Sequence, residues 1–245
     1  MKNGSNETGP RPKRFYAAVT AEATGDGWRI LLDGRIVKTP KRAELMLPAD
    51  ALAEAVAAEW RAQAAQIDSA SMPLTKLANT AIDAVTPNLT AVAEDVLNFA
   101  ARDLICYRAK APETLIERQA ECWDPLLAWA EQQHGAKLIV AEGIMPLEQP
   151  PASLAALAAV IAGFDPFELT ALHVMTTLTG SAVLALAHVS GRLSLEECWA
   201  AAHVDEDYQV SHWGEDADAL KRRGLRFADM RVASAFFRLS RKVDT

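Results

Sequence analysis

The run Trp28-Arg29-Ile30-Leu31-Leu32-Asp33-Gly34-Arg35-Ile36-Val37-Lys38-Thr39 places an Asp-Gly pair between two short apolar stretches. A type I′ turn needs positive φ at both central residues, and Asp-Gly between such stretches is a strong hairpin signal. Residues 15–20 form another short apolar stretch, and Pro40 ends the second arm of the hairpin. Residues 44–47 supply one more strand. The sequence therefore predicts a small antiparallel sheet over about residues 14–47.

The rest of the chain is predicted to be mainly helical. Leu52, Val56 and Trp60 recur every four residues and mark one face of a first helix that begins near Pro48. Trp60 is expected to be structural, packed where the sheet meets the helices. Further helices are predicted at residues 72–85, 88–107, 112–134, 153–162, 166–179, 181–189, 194–203 and 205–241.

Three residues predict where these helices begin, break and end. Asn88 is predicted to be an N-cap, because an Asn side chain at this position accepts a hydrogen bond from a free backbone N–H group. Pro125 has no N–H donor and is expected to kink or divide the helix around it. Gly135 is predicted to end that helix, since glycine readily adopts the left-handed conformation of a C-cap.

These elements predict an α+β fold, with a small N-terminal antiparallel β domain followed by a larger all-helical domain. The predicted boundaries give a disordered tail at residues 1–12, the β domain at 13–48 and the helical domain at 49–245. The tail contains glycine and proline without an apolar core, so it is not expected to be a secretory signal. It also lacks the pattern of an Arg-rich mitochondrial import helix.

Composition excludes several classes of protein. The chain has 245 residues, of which 50% are hydrophobic and 23% charged, as in globular proteins. Its net charge of −7 argues against a nucleic-acid partner, which would need a surplus of Lys and Arg. No apolar stretch is long enough to insert into a membrane. The 3 cysteines form no CxxC pair and indicate reduced thiols, so a bacterial cytoplasmic location is expected.

The usual motifs of enzyme active sites are missing from the sequence. Neither GxxxxGK[ST] nor GxGxxG occurs, so no phosphate-binding loop is predicted. HExxH and GxSxG are also absent, which removes the common zinc-protease and serine-hydrolase signals. The sequence therefore predicts a non-enzymatic protein without a cofactor, a metal or a small-molecule substrate.

Residues 203–218, called the acidic segment below, are the densest in chemically functional groups. They read His-Val-Asp-Glu-Asp-Tyr-Gln-Val-Ser-His-Trp-Gly-Glu-Asp-Ala-Asp, with six carboxylates and no Lys or Arg. Carboxylates favour the dipole at a helix N-terminus, which explains the first three without any partner. The segment is therefore either a structural anchor or a partner-binding surface. The candidate partner-binding residues are Asp205, Glu206, Gln209, His212, Glu215 and Asp216.

Two further residues of the acidic segment are predicted to be structural. Trp213 is expected to be packed. Gly214 is expected to lie inside a helix, where glycine costs about 1 kcal/mol unless a close approach requires it.

A metal-dependent or acid–base enzyme is the alternative for the acidic segment. His203 and His212 are nine residues apart and therefore point to opposite faces of a helix. Asp205 and Gln209 share a face, but one carboxylate and one amide make a poor ligand set. An enzyme of this kind would use Asp205, Glu206 and His212 as acid–base groups, and it would need a pocket with perturbed pKa values.

The charge reverses immediately after the acidic segment. Met230, Ala233 and Phe237 mark the predicted buried stripe of the last helix. Its basic residues either pair with acidic helices of the same chain or bind a charged partner. They are Lys221, Arg222, Arg223, Arg226, Arg231, Arg238, Arg241 and Lys242.

Six groups of residues, spread in order over about residues 13–240, together match one known family. They are Lys13-Arg14-Phe15-Tyr16; Leu31-Leu32-Asp33-Gly34-Arg35 with Lys38-Thr39-Pro40; Ala58-Glu59-Trp60 with Gln63; Met72-Pro73-Leu74-Thr75 with Leu77-Ala78-Asn79-Thr80-Ala81; Cys122-Trp123-Asp124-Pro125-Leu126 with Thr179-Gly180-Ser181; and Asp205-Glu206 with Gln209 and Trp213-Gly214. Through these residues the chain resembles the F-type ATP synthase assembly chaperones that act on the α subunit.

The resemblance implies a small β domain joined to a larger helical domain, in agreement with the pattern of elements. It also implies a chaperone that binds the unassembled α subunit of the catalytic head and prevents its aggregation until the β subunit replaces it. It implies no catalytic chemistry. A structural or scaffold protein without a selective client is the remaining alternative.

Overall fold

The N-terminal sheet of this computed structural model, which describes residues 11–143, 145 and 147–242, has four strands. β1 (Val19–Ala23) pairs antiparallel with β2 (Trp28–Leu32) along its whole length. β3 (Arg35–Ile36) and β4 (Met46–Leu47) pair antiparallel with opposite ends of β2. The predicted antiparallel sheet is confirmed.

The turn between β2 and β3 has the predicted conformation. Asp33 and Gly34 have φ of 48° and 77°, so both central residues are in the left-handed region, as a type I′ turn requires. The Asp33 carboxylate accepts hydrogen bonds from the N–H groups of Ala18, at 2.7 Å, and Ala17, at 3.1 Å. Because these two amides bond to a side chain rather than to a neighbouring strand, β1 begins at Val19, later than predicted.

Only the end of the predicted tail lies within the described residues, since residues 1–10 are outside them. Arg11 forms an ion pair with Asp68 at 3.1 Å, and the carbonyl of Pro12 accepts a hydrogen bond from the N–H of Ile67 at 2.8 Å. A single hydrophobic cluster extends from the sheet into the helices. The division at residues 48 and 49 into two domains therefore stays a prediction.

The regular secondary structure described beyond the sheet is helical apart from a short strand pair. β5 (Tyr107–Arg108) and β6 (Ala141–Glu142) are parallel. No helix among the described residues is both long and apolar enough to cross a bilayer. The helices are α1 (Asp50–Arg61), α2 (Pro73–Thr80), α3 (Leu89–Ala101), α4 (Glu113–His134), α5 (Pro151–Ile161), α6 (Pro166–Thr179), α7 (Ala182–Val189), α8 (Leu195–Ala201), α9 (Val204–Trp213) and α10 (Ala217–Ser240).

The helix predicted at residues 88–107 ends early, at Ala101. The reason is the buried carboxylate of Asp103, which accepts hydrogen bonds from the N–H of Ile105 at 3.3 Å and from that of Val183, in the first turn of α7, at 3.0 Å. Asn88 precedes α3, but its side chain does not cap the helix. Its amide instead donates to the carbonyl of Ala84 at 2.8 Å.

Two other helix predictions concern α4 and the end of the chain. α4 continues through Pro125, so the proline does not divide the helix, and Gly135, with φ of 71°, ends it as predicted. The single helix predicted at residues 205–241 is wrong, because α9 ends at Trp213 and α10 begins at Ala217. Gly214 lies between them with φ of 88° and ψ of 173°, a conformation that cannot continue a helix.

The helical core is built around α6 and α7. Six residues of α7, from Ala182 to Ala187, are buried, and α10 packs chiefly against α6. Met230, Ala233 and Phe237 of α10 are buried, which confirms the predicted stripe. The first three turns of α10, in contrast, are largely exposed.

The carboxylate of Glu59 connects α1 to α2. It accepts hydrogen bonds from the backbone N–H groups of Leu74, at 2.7 Å, and Thr75, at 2.8 Å, and from the Thr75 hydroxyl, at 2.7 Å. These amides belong to the first turn of α2, where no intrahelical acceptor exists. Glu59 therefore caps α2 from another helix.

Trp60, the next residue, lies where α1 meets the N-terminal segment. Its ring packs edge-to-face against Tyr16, with centroids 5.8 Å apart, and its carbonyl accepts a hydrogen bond from the Tyr16 hydroxyl at 2.7 Å. The indole is partly buried, and it packs against the main hydrophobic cluster. This location is the one that a structural role for Trp60 requires.

We predict that Asp33→Asn reduces stability at neutral pH but not in acid. Hydrogen bonds from the N–H groups of Ala18 and Ala17 lower the pKa of Asp33, so its ionised form stabilises the folded state. This contribution is present above the unfolded pKa of about 4 and is lost as pH falls through the lower folded pKa. Asn tolerates positive φ and keeps one carbonyl oxygen as an acceptor.

Thermal melting at a series of pH values tests this prediction. Wild type and Asp33→Asn should differ at pH 7, and the difference should shrink progressively as the pH falls below about 4, the pKa of an unfolded Asp. Asp26→Asn, in the exposed turn between β1 and β2, is the matched control. A difference between Asp33→Asn and wild type that stays constant across the pH range would show that the charge of Asp33 has no role.

We also predict that Glu59→Ala lowers the free energy of unfolding by about 2 kcal/mol, because a lost helix cap and a lost charged acceptor each cost this order of magnitude. Glu54→Ala on the same helix is the control. Glu54 forms an exposed ion pair with Arg61, and such pairs contribute less than about 1 kcal/mol. Urea unfolding measures both losses, and equal losses would contradict the capping role of Glu59.

Candidate functional site

The acidic segment forms α9, the break at Gly214 and the start of α10. Gly214 ends α9, so its role is not to permit a close approach inside a helix. The Asp216 side chain accepts a hydrogen bond from the N–H of Asp218 at 3.0 Å and caps α10. The acidic segment and the exposed first turns of α10 together, residues 203–226, are called the α9–α10 arm below.

One face of α9 is fastened to α4. The side-chain amide of Gln119 donates to Oδ1 of Asp205 at 2.6 Å, and the Thr114 and Tyr208 hydroxyls are 2.9 Å apart. The buried indole of Trp123 donates to the carbonyl of Ala201, just before α9, at 2.8 Å. Asp205, a predicted partner-binding residue, is therefore already engaged inside the molecule.

The other predicted partner-binding residues lie at the surface. Glu206, Gln209, Glu215 and Asp216 are exposed. His212 is also exposed, and its ring stacks on Tyr208 with centroids 4.2 Å apart. The structure therefore brings five of the six candidates to the exposed side of the α9–α10 arm.

The expectation that Trp213 is packed is wrong, since 78% of this residue is exposed. Trp213 is the last residue of α9, beyond the part of the helix that contacts α4, so its indole has little to pack against. Leu220 and Leu225 of α10 are similarly exposed, at 53% and 63%. Neither leucine is among the residues predicted from the sequence, although Leu225 lies well away from the buried stripe on the helical wheel.

A cavity of about 370 Å³ lies between α9 and the start of α10. Its walls combine apolar side chains with four acidic and three basic residues: Val210, Ala219, Leu220, Glu206, Asp207, Glu215, Asp216, Arg222, Arg223 and Arg226, beside His203. A second cavity of about 220 Å³ extends toward Thr179 and Gly180. His203, Glu206 and Arg226 line both cavities.

The basic residues of the arm interact with the chain itself. Arg223 forms an ion pair and a hydrogen bond with Asp207, and this interaction raises the pKa of Arg223. Arg226 donates to the carbonyl of Leu178 at 2.7 Å, and Arg222 is 4.0 Å from Asp216. Of the two alternatives for the basic residues of the last helix, pairing within the chain therefore holds in the first turns of α10.

Neither a metal site nor a reactive cysteine is evident in the described part. No group of three His, Cys, Asp or Glu side chains there is arranged to hold a metal ion. Burial raises the pKa of Cys106 and of Cys198 to about 12, which keeps both thiols protonated and unreactive.

Comparison with known proteins places the chain in a family. Residues 13–131 match the family described as ATP12 chaperone protein. The crystal structure of ATP12 from Paracoccus denitrificans has 43% identity and a TM-score of 0.91, with 94% of this chain and 99% of that chain covered. A candidate chaperone from Agrobacterium tumefaciens has 46% identity and a TM-score of 0.89, with 95% and 87% covered.

The chain belongs to the ATP12 chaperone family. The family assists assembly of the α subunit of the F-type ATP synthase head and is non-enzymatic, so the predicted family and chaperone role are confirmed. The N-terminal antiparallel sheet followed by a mostly helical region confirms the predicted fold class.

Several of the residues on which the resemblance to the ATP12 family is based make structural contacts inside the molecule. Glu59 and Thr75, from two separate groups, meet in the cap of α2. Trp123 of α4 donates to the carbonyl of Ala201, the last residue of α8. Gly180, with φ of 71°, ends α6, and Ser181 then caps α7 by accepting a hydrogen bond from the N–H of Leu184. These residues build the frame, whereas Glu206 and Trp213 are exposed on it.

We predict that Gln119→Glu loosens α9 and that adding Asp205→Asn restores it. The Gln119 carbonyl accepts from the N–H of Ala109 at 2.8 Å, and Glu keeps this acceptor. Glu also places a second carboxylate against Asp205, where Gln119 now donates. The single variant should lose about 2 kcal/mol, the cost of an unpaired charged group, whereas an Asn at position 205 can donate to the new carboxylate.

Melting temperature and hydrogen exchange of the α9 amides measure these effects. Gln132→Glu, an exposed substitution on the same helix, should change neither. If the double variant is no more stable than Gln119→Glu alone, the contact with Asp205 does not hold α9 in place.

Proposed function

We propose that this chain binds the unassembled α subunit of a bacterial F-type ATP synthase and prevents its aggregation until the β subunit replaces it. Membership of the ATP12 family is the observation that supports this function. The bacterial relatives and the expected reduced cysteines support a cytoplasmic location. The proposal needs no nucleotide, metal or other cofactor.

The α9–α10 arm is the client-binding surface in this proposal. Trp213, Leu220 and Leu225 expose apolar area in a region that otherwise carries many charges. Exposed apolar side chains rimmed by polar groups are typical of protein–protein contact sites, and Trp is enriched among the residues that dominate binding energy. An unpaired α subunit exposes an apolar interface of its own, so the two surfaces complement each other.

Charge gives the arm its selectivity. Asp207 and Asp216 have basic partners within the chain, whereas Glu206 and Glu215 have no ion pair among the described residues. These two carboxylates are free to meet basic groups of the client. Charged contacts of this kind raise the association rate and exclude wrong partners more than they add affinity.

We predict that Glu206→Gln weakens capture of the α subunit about three- to tenfold without changing the melting temperature. Exposed substitutions usually change stability by less than about 0.5 kcal/mol, whereas the loss of one interfacial charge changes binding by about a factor of ten. The defect should shrink at high salt, because salt screens the same charge in the wild type.

Capture of purified α subunit at low and high salt, beside thermal melting, measures this prediction. Glu94→Gln, an exposed carboxylate on α3, is the matched control. Trp213→Ala tests the apolar part of the surface and should weaken capture about tenfold at both salt concentrations. Normal capture by both Glu206→Gln and Trp213→Ala would place the client surface elsewhere.

A further inference from the structure

His203 lies at the junction of the two cavities in the α9–α10 arm. It is only 4% exposed, and its ring packs on Trp199 with centroids 4.0 Å apart. Nδ1 is 2.7 Å from the carbonyl of Trp199. A carbonyl only accepts, so Nδ1 carries the proton and donates it.

The other ring nitrogen is an unused acceptor. Burial lowers the pKa of His203, which keeps the imidazole neutral and leaves a lone pair on Nε2. Nε2 makes no hydrogen bond to any residue in the part of the chain that the structure describes. Nε2 is also not among the enclosed polar atoms, so it is open to the cavity. A donor that occupies the cavity can therefore reach it.

Glu206 supplies a second acceptor beside His203. Both residues line both cavities, and the carboxylate has no ion pair among the described residues. Arg223 is paired with Asp207, Arg226 donates to the carbonyl of Leu178, and Arg222 lies 4.0 Å from Asp216. Glu206 and Nε2 of His203 are thus two acceptors of the cavity without a donor among the described residues, although the three arginines keep further N–H groups.

We propose that the cavity between α9 and α10 binds the guanidinium group of an arginine side chain from the client, with Glu206 and Nε2 of His203 as its acceptors. This inference rests on the proposed function and names the client group that the arm recognises. Val210, Ala219 and Leu220 line the same cavity and can pack on the methylene groups of the arginine.

Arginine fits this site better than lysine for two reasons. A guanidinium presents several N–H donors in one plane and can reach a carboxylate and an imidazole nitrogen at the same time. It is also less strongly hydrated than an ammonium group, so it enters a site beside a buried histidine at a lower desolvation cost. The bound guanidinium leaves the internal ion pair of Asp207 and Arg223 in place.

N-acetyl-L-arginine amide is the probe, and chemical-shift changes of the full chain in solution report its binding. We expect saturable shifts at His203, Glu206 and Leu220, with a dissociation constant in the millimolar range. N-acetyl-L-citrulline amide has nearly the same shape without the charge and should not bind. N-acetyl-L-lysine amide should bind at least about fivefold more weakly than the arginine probe.

Two variants connect the probe to the named acceptors. Glu206→Gln should weaken arginine-probe binding at least about tenfold. His203→Asn retains an amide donor for Trp199 but loses the acceptor at Nε2, and it should weaken binding by several-fold. Glu94→Gln should bind the probe like wild type. Absence of probe binding to the wild type, equal binding of the lysine probe, or normal binding by folded Glu206→Gln would each overturn the arginine site.

Capture of the α subunit by the wild type separates this inference from the proposed function. If the wild type captures the α subunit but does not bind the arginine probe, the arginine site is wrong and the chaperone role stands. If the wild type does not capture the α subunit, the proposed function fails, whatever the probe shows.

Discussion

The cap that Glu59 places on α2 is the interaction that joins the N-terminal sheet to the helical core. The backbone N–H groups in the first turn of a helix have no acceptor within that helix. The carboxylate of Glu59, on α1, accepts hydrogen bonds from two of those of α2. Its neighbour Trp60 holds the N-terminal segment through Tyr16, so one turn of α1 joins the sheet side to the helical side. Because α2 also packs on α6 and α10, this cap fixes the sheet relative to the helical core.

Sequence reasoning succeeded where the determinants of structure are local. The Asp33-Gly34 turn needs only two residues that tolerate positive φ, and the buried stripe of α10 follows from the helical period. The helix at residues 166–179 is predicted to the residue, because Pro166 and Gly180 mark its two ends in the local sequence.

Distant contacts account for the failures. The helix predicted at residues 88–107 ends early because the Asp103 carboxylate bonds to the first turn of α7, eighty residues further along the chain. No local sequence pattern predicts that contact. Trp213 was expected to be packed from its chemistry alone, but its exposure depends on where the body of the protein stops beneath α9. The sequence identifies the acidic segment as the candidate site. That Asp205 faces α4 whereas Glu206 faces solvent depends on the position of α4, which the sequence pattern does not predict.

The arrangement of α9 suits a chaperone that must give up its client. Gln119 and Thr114 hold one side of α9, so in the proposed function its exposed side lies on a firm support and loses little ordering entropy when a client binds. Internal pairing of Asp207 with Arg223 removes charges that could otherwise strengthen the complex. In the proposed function, a few apolar anchors and one or two free carboxylates give selective but moderate affinity. Because each 1.4 kcal/mol changes the dissociation constant tenfold, a β subunit that binds the α subunit a few kcal/mol more tightly could displace a chaperone of moderate affinity without any input of energy.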